Sequence, residues 1–337
     1  MNTSHNKITT RIVDDFDVNT RIVDDFDVNT RIVDDFDVNT RIVDNFNVNT
    51  MIVDNFDVNT MIVDDKESDD YNSSHQGKIN LKNKRALIGG SSKGLGYAVA
   101  KQLAACGAEV TLVSRNESLL KKNIIELKEL TGCDHNYLLV DYNNSKGYKK
   151  IIDEFFKTNT IDILINNTQG PPAGDVLSVA ESDYEQTFNL LFQNTVNTSM
   201  AAIKGMKENN WGRIINMTSV SVKEPLSYLA LSNTIRSAVT SWGKTLSIES
   251  GKYNITVNNV LTGFFNTERL NQLNEEKAKK FNVKTSEVFE KMSEMVPLKR
   301  IGEPEEFAYL IAFLSSEYSS YINGVNIPID GGLLKSM

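Results

Sequence analysis

Lys84-Arg85-Ala86-Leu87-Ile88-Gly89-Gly90-Ser91-Ser92-Lys93-Gly94-Leu95-Gly96-Tyr97-Ala98-Val99-Ala100 decides how this chain folds. A short apolar run enters a glycine-rich turn and leaves it in a helical pattern, so the stretch reads as strand, tight turn and helix N-terminus. Glycine lets the backbone turn with positive φ and lets a phosphate come close, while the helix end offers unpaired N–H groups and a partial positive charge. Gly90, Ser92, Lys93, Gly94, Leu95 and Gly96 are therefore the candidate phosphate cradle. Their spacing is Gly-x-x-x-Gly-x-Gly and differs from the Gly-x-Gly-x-x-Gly dinucleotide pattern.

The next apolar run, Val110-Thr111-Leu112-Val113, ends in Ser114-Arg115-Asn116. An acid at the tip of this strand would hold a ribose 2′-hydroxyl, whereas an Arg accommodates a 2′-phosphate. The tip has no acid, and Arg115 and Lys93 bring two cations toward the phosphate position. Arg is suited to bidentate phosphate contacts. The pattern favours NADP(H) over NAD(H).

From Lys84 onward, strand patterns near 84–89, 109–113, 137–140, 161–165, 212–218, 254–260 and 324–328 alternate with helical patterns. The helical stretches are 95–107, 116–131, 144–158, 183–209, 227–250 and 303–316. This alternation specifies an α/β fold, a Rossmann-type doubly wound parallel sheet of seven strands with ligands at the C-terminal strand ends. Two segments follow: 1–79, an acidic repeat arm and linker, and 80–337, the nucleotide-binding domain.

Further motifs make residues 80 to the C-terminus resemble the short-chain dehydrogenase/reductase family. The glycine turn is similar to the family's Thr-Gly-x-x-x-Gly-x-Gly, with Gly89 in the Thr place. Val140-Asp141 resembles the adenine-contacting segment, and Leu164-Ile165-Asn166-Asn167 resembles the Asn-Asn-Ala-Gly motif. Trp211 to Ser219 resembles the fifth strand and its serine. Thr262-Gly263-Phe264-Phe265-Asn266-Thr267 resembles the Pro-Gly-x-x-x-Thr segment that contacts nicotinamide. Pro297 to Glu306 and Asp330-Gly331-Gly332 resemble the C-terminal signature. The resemblance implies cofactor contacts at Asp141, Asn167, Gly263 and Thr267, a small carbonyl or alcohol substrate, and a homodimer or homotetramer. Residues 264–296 sit where the family places its substrate lid.

The catalytic positions depart from the family, which uses an Asn, a Ser and a Tyr-x-x-x-Lys. The serine is Ser219. Thirteen residues on, the Tyr place is held by Ser232 and the Lys place by Arg236, while Leu191 holds the Asn place. A phenol with a pKa of roughly 10 can be lowered by a nearby Lys, whereas an aliphatic hydroxyl is a far weaker acid. Arg236 keeps a positive charge able to bind ribose hydroxyls, but its pKa above roughly 12 makes it no proton shuttle. Tyr228, four residues before Ser232, is a replacement acid if the helix has already begun there. The catalytic candidates are thus Ser219, Ser232, Arg236 and Tyr228, with Asn166, Thr168 and Gln169 as further polar contacts. The resemblance implies an NADP(H)-dependent oxidoreductase of the 3-oxoacyl-reductase type. The missing Tyr and Lys leave open a nucleotide-binding pseudoenzyme that senses NADP(H) or scaffolds a partner.

Composition excludes several classes. Of 337 residues 40% are hydrophobic, ample for one core, and no apolar run reaches the roughly 18 residues of a membrane span. Cys106 and Cys133 are too few for a disulfide framework and fall in expected core elements, and His5, His75 and His135 are scattered, so no metal site is expected. The start of the chain has no charged-then-apolar signal pattern, so the expected setting is the cytoplasm. Residues 1–79 hold 17 acids and 7 Lys/Arg, leaving the remainder near +2 of the overall −8. That balance argues against a nucleic-acid partner.

Residues 11–65 repeat Arg11-Ile12-Val13-Asp14-Asp15-Phe16-Asp17-Val18-Asn19-Thr20 five and a half times, with changes at Asn45, Asn47, Met51, Asn55 and Met61. Ten residues match no helical period, and the dense acids oppose a packed core, so disorder or transient strands are expected. Asp15-x-Asp17-x-Asn19 resembles the start of a calcium loop but lacks its Gly and Glu. Tandem near-identical units also fit a processed peptide array. Because the α/β pattern is complete from residue 80, truncation at about residue 78 should leave the thermal midpoint within a few degrees. A large fall in a thermal melt would show that the repeats support the domain.

Overall fold

Strand β1 (Arg85–Gly89) alternates its side chains between two cores. Ala86 and Ile88 join Val99, Leu103, Val110, Leu112, Phe307 and Ile311 on one face of the sheet. Leu87 joins Val113, Ile152, Leu164, Ile203, Ile214 and Val257 on the other. The period-2 geometry of a strand puts successive residues on opposite faces, and burial on both is what a parallel sheet between helical layers requires.

The computed structural model describes residues 78–336, apart from the side chain of Lys280, and nine short backbone segments between Ile8 and Val58. After β1 come α1 (Gly94–Ala105), β2 (Glu109–Ser114), α2 (Glu117–Thr131), β3 (Asn136–Leu139), α3 (Ser145–Thr158) and β4 (Ile163–Asn166). The second half holds α4 (Glu181–Thr187), a π-helical turn (Phe188–Gln193), α5 (Asn194–Glu208), β5 (Gly212–Met217) and α6 (Ala230–Ser250). It ends with β6 (Ile255–Thr262), α7 (Glu268–Phe281), α8 (Thr285–Met295), α9 (Pro304–Leu314) and β7 (Asn326–Ile329). The seven strands pair in parallel in the order β3-β2-β1-β4-β5-β6-β7. The order reverses beside β1, and that switch opens a crevice at the C-terminal ends of β1 and β4. No helix among the described residues is long and apolar enough to cross a membrane.

All seven strands fall where the periodicity places them. Three local expectations change. The helix expected over 183–209 is interrupted, because the Asn194 amide and the Thr195 hydroxyl donate to the carbonyls of Leu190 and Leu191. The Asn194 N–H bonds the carbonyl of Asn189, five residues back, which is the π pattern. The helix expected from 227 begins at Ala230, after Leu229 with φ −123° and ψ 40°. Cys133 is exposed and Cys106 only half-buried, so neither is a core thiol.

The described segments of the arm pair in parallel with segments twenty residues away, as in Phe16 opposite Phe36 and Phe36 opposite Phe56. The disorder, calcium and peptide-array expectations rest mostly on residues outside the described ones.

Four asparagines stand opposite one another on adjacent strands: Asn166 on β4, Asn216 on β5, Asn259 on β6 and Asn326 on β7. Their amides form a chain. Asn166 Nδ2 donates to Asn216 Oδ1 (2.9 Å), Asn216 Nδ2 to Asn259 Oδ1 (2.9 Å), and Asn259 Nδ2 to Asn326 Oδ1 (2.8 Å). Asn216 and Asn259 are at most 1% exposed, so each amide depends on its neighbour for satisfaction. Asn216→Ala strands a donor on one side and an acceptor on the other. It should cost about 1–3 kcal/mol, read as a lower urea midpoint, whereas the edge variant Asn326→Ala should cost less.

Candidate active site

The β1–α1 turn is built by backbone proximity. A Cβ on Gly96 would lie 2.4 Å from the Gly90 carbonyl oxygen, and Gly90 and Gly94 have φ of +56° and +59°. Ser91 ties the turn to β2: its hydroxyl donates to Ile88 O and accepts from Val113 N. Ser92 is held through Ser114 Oγ (2.9 Å) and by Asn123, whose amide donates to the Ser92 carbonyl. Asn167 Nδ2 donates to Gly89 O, and the Gly90 N–H donates to the Tyr142 hydroxyl. Burial keeps that phenol well above its ordinary pKa, so it stays neutral.

Helix α1 begins after Lys93 with no side-chain cap, leaving its first-turn N–H groups directed at the crevice. Positive-φ glycines, a close-packed turn and uncapped donors fit a pyrophosphate. Gly90, Ser92, Lys93, Gly94, Leu95 and Gly96 lie together in the turn after β1 and the start of α1. Thr267 caps α7 by accepting from Leu270 N, and its methyl lies 3.6 Å from the position of a Cβ on Gly94. Asp141 shapes the turn after β3 by accepting from Asn143 N, and Asn143 Oδ1 in turn accepts from Gln169 Nε2. Gly263 lies against Asp330, where a Cβ would stand 2.6 Å from that residue's Cα. Thr262, in the Pro place, donates its hydroxyl to Thr218 O at 2.7 Å.

The two cations differ. Arg115 is exposed at the end of β2 and makes no ion pair among the described residues. Lys93 Nζ lies 2.7 Å from Glu268 Oε2, at the first residue of α7, so its charge already has a partner.

Around the catalytic positions the four candidates separate. Arg236 projects from α6 into a small cavity with Asn166, Thr168, Leu191, Thr195 and Asn216, and its Nη1 donates to Met217 O at 2.7 Å. Burial lowers its pKa to about 10. Ser219 follows β5 and accepts from Ser221 N, leaving its own O–H free to donate. Ser232 is buried at 7% exposure and lies outside that cavity's lining. Tyr228 precedes α6, so the helical spacing that would aim it at Ser232 does not exist. It is 46% exposed, its carbonyl accepts from Gly174 N, and burial of its ring raises its phenol pKa. Leu191, where the family has Asn, presents an apolar wall.

Sequence reading missed Tyr142, Asn123, and the Asn216–Asn259–Asn326 chain. Asn216 stood as a polar residue in an apolar strand run and Asn259 as one of the pair Asn258-Asn259 in another, and that was the available signal.

Residues 90–334 match the family described as enoyl-(acyl carrier protein) reductase. The chain is 31% identical over 265 residues to the NADPH-dependent reductase BacG of Bacillus subtilis, covering 76% of this chain and 100% of that one. It is 30% identical over 258 residues to the 3-oxoacyl-(acyl-carrier-protein) reductase FabG of Chlamydia trachomatis, covering 75% and 98%. Among solved structures it resembles the L-sorbose reductase of Gluconobacter frateurii complexed with NADPH and L-sorbose. The TM-score there is 0.73 at 29% identity, covering 77% of this chain and 100% of that one. The chain belongs to the short-chain dehydrogenase/reductase family, and its class is oxidoreductase.

The buried cation has a pH signature. With Arg236 lowered to about 10 in the fold, the unfolded chain binds more protons between that value and the ordinary Arg pKa, so stability at this site rises with pH there. Wild type should gain stability relative to Arg236→Gln between about pH 9 and pH 11 in paired urea titrations. A flat difference would place the guanidinium in water.

Proposed function

We propose that this protein is an NADP(H)-dependent oxidoreductase that interconverts a small carbonyl and its alcohol, 3-oxoacyl-reductase-like, through a rebuilt catalytic site. The observation that carries the reading is the close-packed glycine turn before the uncapped start of α1, with Arg236 held in a cavity lined by Asn166 and Asn216. NADPH supplies the hydride. Gly94, Leu95 and Gly96 offer N–H groups to its pyrophosphate, Arg115 and Lys93 meet its 2′-phosphate, and Asp141, Asn167, Gly263 and Thr267 border its remaining length. The BacG relative and the sorbose reductase, named for NADPH or complexed with it, support that cofactor choice.

On the substrate side, Ser219 donates a hydrogen bond to the carbonyl oxygen. Arg236, held by Met217 O, supplies a fixed positive charge that stabilises developing negative charge. Ser232 is too weak an acid to finish the reduction near neutrality, and Arg236 is tied to the Met217 carbonyl as a fixed cation. The proton therefore comes from solvent or from Tyr228 across the mouth of the crevice. Substrate, cytoplasmic setting and homodimeric or homotetrameric assembly belong to the same reading.

A second reading, a nucleotide-binding pseudoenzyme acting as sensor or scaffold, is favoured by Leu191 and buried Ser232, which leave no strong acid at the family positions. Titration with NADPH and NADH followed by a carbonyl panel separates the two. Arg115→Ala should weaken NADPH binding by roughly 1.5–3 kcal/mol and leave NADH nearly unchanged. Turnover that falls with Ser219→Ala while cofactor affinity holds supports the enzyme. Bound NADPH without turnover, and carbonyl reduction appearing only in the Ser232→Tyr/Arg236→Lys double variant, supports the pseudoenzyme. Equal losses of NADPH and NADH in Arg115→Ala would refute the cofactor assignment.

A further inference from the structure

The glycine turn and the lid are joined by one ion pair between residues 175 apart in sequence, Lys93 Nζ and Glu268 Oε2 at 2.7 Å. Lys93 stands immediately before α1, and Glu268 opens α7 directly after Thr267. Both side chains are about half exposed, at 51% and 58%. The other Glu268 oxygen accepts from Gln272 Nε2 within α7, and Lys93 has no second acidic partner among the described residues. Farther along α7, Lys277 Nζ lies 5.9 Å from the Tyr228 ring centroid. The lid is thus tied down over the cofactor side by a charge pair that uses a cation needed by the 2′-phosphate.

We propose that Glu268 is a cofactor-specificity residue whose carboxylate competes with the 2′-phosphate of NADP(H) for Lys93. The proposal rests on the reading that NADP(H) is the cofactor. An ammonium offers three donors to whichever anion comes closest, and a phosphate carrying close to two negative charges outcompetes one carboxylate. Its arrival releases Glu268 from Lys93 and loosens α7 from the turn. A ribose 2′-hydroxyl carries no charge and leaves the pair intact, so NAD(H) binds under a lid that remains tied. By holding part of the Lys93 charge, Glu268 reduces the affinity gain that Lys93 provides. Exposed ion pairs are weak, so the expected effect is about two- to fivefold in affinity.

The test is calorimetric titration of the full chain with 2′,5′-ADP, 5′-AMP, NADPH and NADH, in wild type, Glu268→Gln, Lys93→Met and the double variant. Glu268→Gln should tighten 2′,5′-ADP and NADPH about two- to fivefold and leave 5′-AMP and NADH unchanged. In the Lys93→Met background the gain should vanish. A gain shared by all four ligands, or one that survives the loss of Lys93, makes Glu268 a general restraint on the lid and overturns the proposal. So does no change at all. Wild type that binds 2′,5′-ADP no tighter than 5′-AMP overturns the cofactor reading itself, and this shows before any variant is made.

Discussion

Backbone meeting backbone beside β1 is the constraint on which the site depends. In this backbone a Cβ on Gly89 would lie 2.2 Å from the Asn167 carbonyl oxygen, and one on Gly96 would lie 2.4 Å from that of Gly90. The turn after β1 and the turn after β4 therefore touch through main-chain atoms, which brings the uncapped start of α1 to the edge of the crevice. Gly89, in the place of the family's Thr, leaves room for this contact. Tyr142 and Asn167 then satisfy the polar groups left between the two turns.

A second layer of order lies across the other half of the sheet. The amide chain from Asn166 to Asn326 crosses four strands, from the last residue of β4 to the first of β7, where an apolar ladder would have sufficed for packing alone. Buried amides accept few alternative arrangements, because each slip of register leaves donors and acceptors unmatched. Asn166 and Asn216 also line the cavity that receives Arg236, so the network that fixes strand register also sets the floor under the buried cation. Register and site geometry are thus one problem in this protein.

The contrast between cofactor and catalytic positions has a chemical logic. Phosphate recognition uses backbone N–H groups and tolerates side-chain drift, so the cradle keeps its form. Proton transfer depends on the pKa of one side chain, and replacing a phenol by a hydroxymethyl group removes that property even if the helix is unchanged. Arg236 preserves charge, and its tie to Met217 O gives it a positioning character. Helix α7, held to the β1–α1 turn by Glu268 and Lys93, adds a charge-based link between that turn and the segment after β6.

The seven strands, their order in the chain and the glycine turn after β1 were legible in the chain alone, because period-2 and helical patterns and motif spacing are local properties. Ser92, Lys93, Gly94, Leu95 and Gly96 could be assigned to one turn from spacing alone. Only the tertiary structure decided that α6 begins at Ala230, since Leu229 and Tyr228 are engaged with Gly174 of a distant loop. The π turn likewise depends on Asn194, whose amide also reaches Tyr142 O, fifty-two residues away. Pairing of Lys93 with Glu268, and of the four asparagines across the sheet, joins residues that no local pattern connects. These contacts arise when the parallel strands stack in register, which brings distant polar side chains within hydrogen-bonding reach.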